Sequence, residues 1–206
     1  LLDAKIDLLC GSGIRQFTER GDGVDLVKEL SEEYRFVRSI DEINDREGKV
    51  ICIDERMDDA AEEANLSLLA DATREAIAKL SERGGEGFFL MVEGAKIDYA
   101  GHSRCLPGSI IEMLSFDQAV AEALRFADSN GETLVIVTAD HETGGLTLLD
   151  GDERTGRVMG CYVTDDHTPA MLPVFAYGPG ADRFCGVYLN TEIARRIRVL
   201  YDERKH

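Results

Sequence analysis

The sequence predicts an α/β sandwich with a mainly parallel sheet, and three observations point there. Short apolar runs recur along the chain, several apolar throughout, as strands covered on both faces are. Amphipathic stretches of helical periodicity lie between them. The spacing of strand, helix and strand suits crossover connections, which join parallel strands.

Taken in order, residues 6–10 and 50–53 read as the first strands, followed by residues 87–92, 133–137 and 173–177. Residues 66–80 set Leu66, Leu69, Thr73, Ile77 and Leu80 on one helical face, and Gly84-Gly85 is the expected stop. Residues 110–127 repeat the pattern with Ile110, Leu114, Ala121, Leu124 and Ala127, Asp117 and Gln118 lying on the rim. Ser109 is the expected N-cap of that helix. A third helix starts near Asn190-Thr191-Glu192 and carries Ile193, Ile197 and Leu200. Residues 150–160, rich in Gly, Asp and Arg, read as an exposed loop or hairpin. There is no internal repeat, low-complexity tract or Pro-rich linker.

At 206 residues the chain has room for one domain with a real core, and 44% hydrophobic with 31% charged residues is an ordinary globular balance. No apolar run approaches the ~18 residues of a membrane span. Leu1-Leu2-Asp3-Ala4-Lys5 has neither a start methionine nor a signal-peptide pattern, and reads as the interior of something longer. A net charge of −17 argues against a nucleic-acid partner, because no basic excess exists to displace counterions. It would also repel phosphate-bearing substrates, unless bound divalent ions reverse the field locally. The five cysteines (10, 52, 105, 161 and 185) form no Cys-x-x-Cys pair, which argues against thiolate zinc and a disulfide framework. Cys10 and Cys52 lie in apolar runs and read as small buried hydrophobes.

Three clusters combine carboxylate with imidazole: Glu93-Gly94-Ala95-Lys96-Ile97-Asp98-x-x-x-His102, Thr138-Ala139-Asp140-His141-Glu142-Thr143-Gly144-Gly145, and Asp165-Asp166-His167-Thr168. The first two follow apolar runs, so Glu93, Asp140 and His141 fall at carboxyl ends of strands, where α/β proteins bind ligands. One helical turn would put Asp98 and His102 on the same face. Asp140 and His141 suit one ion only if the chain turns there, and Gly144-Gly145 allow such a turn. His167, alone in a polar loop, is by itself an ordinary surface histidine. Together these nitrogen and oxygen donors suit zinc with an open coordination position, and Glu93 suits a harder ion such as magnesium. Two zinc ions roughly 3.5–4 Å apart form the usual clamp for in-line displacement at phosphorus.

The stretch from Gly87 to His102 closely resembles the signature of alkaline phosphatases, as do residues 133–145 and His167-Thr168 followed by Val174-Phe175-Ala176-Tyr177-Gly178-Pro179. Leu8-Leu9-Cys10-Gly11-Ser12-Gly13, with Phe17 and Asp22-Gly23-x-Asp25-Leu26, is similar to the family's Gly-rich segment. The resemblance covers most of the chain. It implies an alkaline-phosphatase-like α/β fold, represented in part, and hydrolysis of phosphate monoesters through a phosphoserine. By the same resemblance Glu93 would bind Mg2+, Asp98, His102 and His167 the first Zn2+, and Asp140 and His141 the second. It also implies a periplasmic or extracellular setting, and leaves a homodimer open.

The chain departs from the family's pattern too. The family's nucleophilic serine follows an Asp upstream of the Gly-rich segment, and a second Asp from that region bridges magnesium and zinc. Neither has a counterpart here, and Ser103, Ser109 and Ser129 do not match the nucleophile. No arginine stands in a motif that matches the phosphate-gripping one. Residues 1–206 are therefore expected to be the C-terminal part of an alkaline phosphatase domain, inactive alone. Two alternatives stay open: a non-catalytic metal-binding domain, and a related phosphodiesterase or phosphoglycerate mutase. Glu142-Thr143-Gly144-Gly145 favours the phosphatase.

Overall fold

The computed structural model describes residues 6–45, 47–59, 61, 65–82 and 87–203, which fall into two compact units. The first unit takes Leu1–Gly94 and Ile111–Glu122, and the second takes Ala95–Ile110 and Ala123–His206.

The first unit is built on a parallel sheet of β1 (Leu8–Gly11), β3 (Lys49–Ile53) and β2 (Tyr34–Val37), in the order β1-β3-β2. The central strand reads Lys-Val-Ile-Cys-Ile, and Val50, Ile51 and Cys52 are fully buried. Alternation then divides the core in two. Val37, Val50 and Cys52 pack with Ile40, Ile43 and Ala72 on one face; Tyr34, Ile51 and Ile53 pack with Leu30 on the other. Each such aliphatic side chain contributes about 1.5–3 kcal/mol when taken from water.

Short elements close the edges of this unit: α1 (Arg15–Thr18), α2 (Leu26–Leu30) and 3-10 turns at Ile40–Glu42 and Glu55–Asp58. Asp25 caps α2 by accepting from Lys28 N at 3.2 Å. Asp54, at the carboxyl end of β3, is 2% exposed and accepts from Ile40 N at 3.2 Å and from Arg56 N at 3.1 Å. β2 was not foreseen. Its Arg35 interrupts the apolar run, yet its Nη1 and Nη2 donate to the carbonyls of Glu42 and Ile43 at 3.1 and 3.0 Å.

Helix α3 (Leu68–Ser81) answers the expected helix over 66–80: Thr73 and Ile77 of the expected face are buried, and Ala70, Ala72, Ala76 and Lys79 are buried beside them. The Gly84-Gly85 stop lies outside the described residues. Residues 87–94 were expected to include a strand. They alternate in exposure, but belong to no strand ladder among the described residues.

In the second unit α4 spans Lys96–His102, and α5 runs over Leu106–Asn130, lending its middle to the first unit. Cys105, not Ser109, is the N-cap of α5, because Pro107 is favoured in the first turn and moves the start upstream. The apolar face expected for α5 holds in its second half, where Ala127 is buried and Ala121 and Leu124 are half-buried, but not at its start: Ile110 and Leu114 are exposed, while Glu112, Ser115 and Ala119 are buried. Gly131, at φ 66°, ends the helix with its N–H on Ala127 O at 2.8 Å.

β4 (Val135–Val137) pairs antiparallel with β9 (Phe175–Tyr177), β5 (Glu142–Thr143) with β8 (His167–Thr168), and β6 (Thr147–Asp152) with β7 (Arg157–Cys161). The last pair is the hairpin expected over 150–160. The α/β class stands. The parallel pairing is that of β1-β3-β2, and the second unit uses small antiparallel pairs. Helix α6 (Thr191–Glu203) begins where expected, with Ile193, Ile197 and Leu200 half-buried.

Candidate metal centre

Helix α4 is short and carries Asp98 in its first turn and His102 in its last, four residues apart. Their side chains meet as the spacing requires, with His102 Nε2 3.4 Å from Asp98 Oδ2. Gly101, on the same helix, lets α4 lie directly on β5. A Cβ there would stand 2.9 Å from Thr143 Cγ2 and 3.1 Å from Thr143 O.

β5 brings in the second cluster. After β4 the chain bends at Asp140, so that His141 immediately precedes β5 and Thr143 pairs with His167 of β8. The His141 and His167 rings stack with centroids 3.5 Å apart. Gly144 then takes φ +89°, a left-handed turn no other residue adopts without strain, and a Cβ there would be 2.5 Å from Tyr162 Cδ1. Gly144 N donates to Asp166 O at 3.0 Å, which holds the loop preceding His167.

The imidazoles are held by specific partners. His102 Nδ1 lies 2.6 Å from Asp165 O. A carbonyl only accepts, so Nδ1 carries the proton and Nε2 faces Asp98 and His167. That carbonyl, with Asp98, Asp166 and Asp165 nearby, raises the His102 pKa above its ordinary value against the opposing effect of desolvation. The Thr143 hydroxyl donates to Asp98 Oδ1 at 2.5 Å. Its one proton is thereby used, so the 3.1 Å contact with His141 Nδ1 is donated by the imidazole, and His141 Nε2 keeps its lone pair. Second partners of this kind fix tautomer and ring orientation in metal sites.

The donor set fits a metal. Around zinc, bonds of about 2.1 Å set ligand atoms about 3.4 Å apart in a tetrahedral arrangement. His102 Nε2 to Asp98 Oδ2 is 3.4 Å, His167 Nε2 to Asp98 Oδ1 is 3.7 Å, and the two Nε2 atoms are 3.2 Å apart. Asp98, His141 and His167 also offer ligand atoms within 4.8 Å of one another. Asp140 is exposed, with Oδ2 3.3 Å from His141 Nε2. The second unit thus gathers Asp98, His102, Asp140, His141 and His167, whereas Glu93 stands exposed in the first unit.

Two supporting residues were not foreseen as such. Thr143 is the hydroxyl shared by Asp98 and His141, and its position two residues after His141 was the available signal. Glu142 faces the other way. Burial works against its carboxylate, but Thr168 Oγ1, Gly145 N and Leu146 N donate to it and hold its pKa below the usual range, with His141 adding to the effect.

None of the serines weighed as a nucleophile faces this cluster. Ser103 donates to Tyr99 O at 2.8 Å, Ser129 to Phe126 O at 2.7 Å, and Ser109 shares a 2.6 Å hydrogen bond with Tyr162.

The family model for alkaline phosphatase matches residues 1–161. The chain belongs to the alkaline phosphatase family. It is 41% identical to the streptomycin-6-phosphate phosphatase of Streptomyces griseus, over 61% of this chain and 33% of that protein. Alkaline phosphatase 3 of Bacillus subtilis is 28% identical, over 94% of this chain and 57% of the relative. Among solved structures, the alkaline phosphatase of the Antarctic bacterium TAB5 superposes with a TM-score of 0.82 at 35% identity, covering 93% of this chain and 59% of that one. This alkaline phosphatase family chain therefore spans about a third to somewhat over half the length of the curated relatives named here. Among its described residues no helix is long and apolar enough to cross a membrane.

Proposed function

We propose that the chain supplies the C-terminal share of a metal-dependent phosphate monoester hydrolase. In this reading Asp98, His102 and His167 hold one zinc ion, Asp140 and His141 a second, and Glu93 a magnesium ion. The observation that carries it is the triangle of Asp98, His102 and His167 donor atoms, whose 3.2–3.7 Å edges suit one zinc ion. Two solved variants of the TAB5 enzyme have Mg bound in the M3 site, which supports an oxygen-ligated magnesium here as well.

When bound, these ions supply positive charge for the attacking and leaving oxygens of an in-line displacement at phosphorus. The chain's own residues prepare for that. Asp165 O and Thr143 Oγ1 fix the tautomers of His102 and His141, so that each Nε2 presents a lone pair. Asp98 is held by Thr143 while its second oxygen faces His102. Bound cations would offset locally the −17 formal charge that otherwise repels a phosphate dianion.

The nucleophile and the phosphate-gripping arginine are assigned to a part of the enzyme outside residues 1–206. Phosphate monoesters as substrates, a homodimeric assembly and a periplasmic or extracellular setting belong to the same proposal. The test is hydrolysis of p-nitrophenyl phosphate with zinc and magnesium present. The 206-residue chain is expected to match background, and the whole enzyme containing it to turn over. Metal-dependent turnover by the chain alone would overturn the assignment of the nucleophile elsewhere.

A further inference from the structure

Cys10 and Cys52 are neighbours across the parallel β1–β3 pair, in register Cα to Cα. Strands paired this way lie about 4.8 Å apart and project in-register side chains to the same face. Met57, in the 3-10 turn after β3, comes to the same place. Cys10 Sγ donates to Met57 Sδ at 3.6 Å, and all three side chains belong to one apolar cluster. Cys52 is fully buried and Cys10 half-buried, and both are free thiols.

We propose that Cys10, Cys52 and Met57 form a binding site for a soft monovalent metal ion of the copper(I) class. Two thiols and a thioether, with no nitrogen or oxygen donor among them, are soft ligand chemistry that suits such ions and does not suit magnesium. Sulfur atoms bound to one ion at about 2.3 Å stand ~3.8–4.0 Å apart, close to the Cys10–Met57 separation. The nearest hard donor is already engaged. Asp54 is held by the Arg56 guanidinium and by the N–H groups of Ile40 and Arg56. The two thiols also share a hydrogen bond that lowers the Cys10 pKa against burial and the charge of Asp54, so Cys10 is the thiol that ionises first. Binding breaks the two S–H bonds, releases both protons to solvent and forms two thiolate–metal bonds and one thioether–metal bond, with no change of oxidation state. The partly exposed Cys10 gives the ion its way in.

The test uses the full chain with the exposed Cys105, Cys161 and Cys185 replaced by serine, titrated anaerobically with copper(I) against bathocuproine disulfonate. One equivalent of copper per chain should be withheld from the chelator. Cys10→Ser should weaken retention about 10-fold or more. Met57→Leu, which conserves volume and so keeps the fold, should weaken it measurably with an unchanged circular dichroism spectrum. Copper taken up entirely by the chelator would overturn the proposal. So would equal retention by the parent, Cys10→Ser and Met57→Leu proteins, since the ion would then sit elsewhere, as on the imidazoles.

Discussion

Thr143 Oγ1 donates to Asp98 Oδ1 at 2.5 Å, tying β5 to the first turn of α4 through a single hydroxyl. The same oxygen accepts from His141 Nδ1, so one residue sets the orientation of a carboxylate and the tautomer of an imidazole. Thr143→Val keeps the shape and removes both bonds. Zinc affinity should fall about 10–100-fold, measured by competition with a chromogenic chelator, and Thr143→Ser should restore most of it. Equal affinity in all three proteins would show that the hydroxyl does not organise the site.

Gly101 makes the approach of α4 to β5 possible. Alanine is favoured over glycine in a helix by up to ~1 kcal/mol, but here its Cβ would press on Thr143 side chain and carbonyl alike. Overpacking of this kind costs about 1–3 kcal/mol, so it should win. Gly101→Ala is expected to lower the urea midpoint, whereas Gly21→Ala, with open space around it, should leave it within error. A neutral Gly101→Ala would mean the contact relaxes freely.

Asp54 links β3 to both neighbouring turns. The Arg56 guanidinium, with the backbone N–H groups of Ile40 and Arg56, holds its carboxyl below the usual aspartate range despite burial. A lowered folded value means the stabilisation is fully present above about pH 4 and is lost as pH falls through that lower value. Asp54→Asn should cost about 1.5–3 kcal/mol at neutral pH, the range for hydrogen bonds to a charged group. Urea unfolding at pH 7 and in acid should show the gap between variant and parent closing as pH falls. A gap that stays constant would remove the charge from the explanation.

How much of this was legible in sequence depended on the range of the interaction. The Asp98–His102 pair could be read because helical geometry alone brings residues four apart together. Residues 50–53 could be read as a strand because a central strand is apolar on both faces, and these residues are buried on both. The stacking of His141 on His167 was not legible, since it depends on the β5–β8 register, which no local pattern encodes. β2 was hidden by Arg35, whose terminal nitrogens donate to carbonyls some residues away. Residues 87–92 have a strand's composition, and alternate in exposure as a strand would, without a ladder partner among the described residues. The start of α5 was misjudged because Glu112, which accepts from Ala61 N at 2.6 Å, is buried there while Ile110 and Leu114 of the expected face are exposed.

The measurement that bears most directly on the metal centre is zinc retained by the purified chain after exhaustive dialysis, read by atomic emission. The account predicts that the parent chain retains zinc and that the Asp98→Ala/His102→Ala double variant, still folded by circular dichroism, loses it. Zinc absent from the parent, or retained equally by the variant, would contradict the assignment of Asp98, His102 and His167 as one metal-binding face.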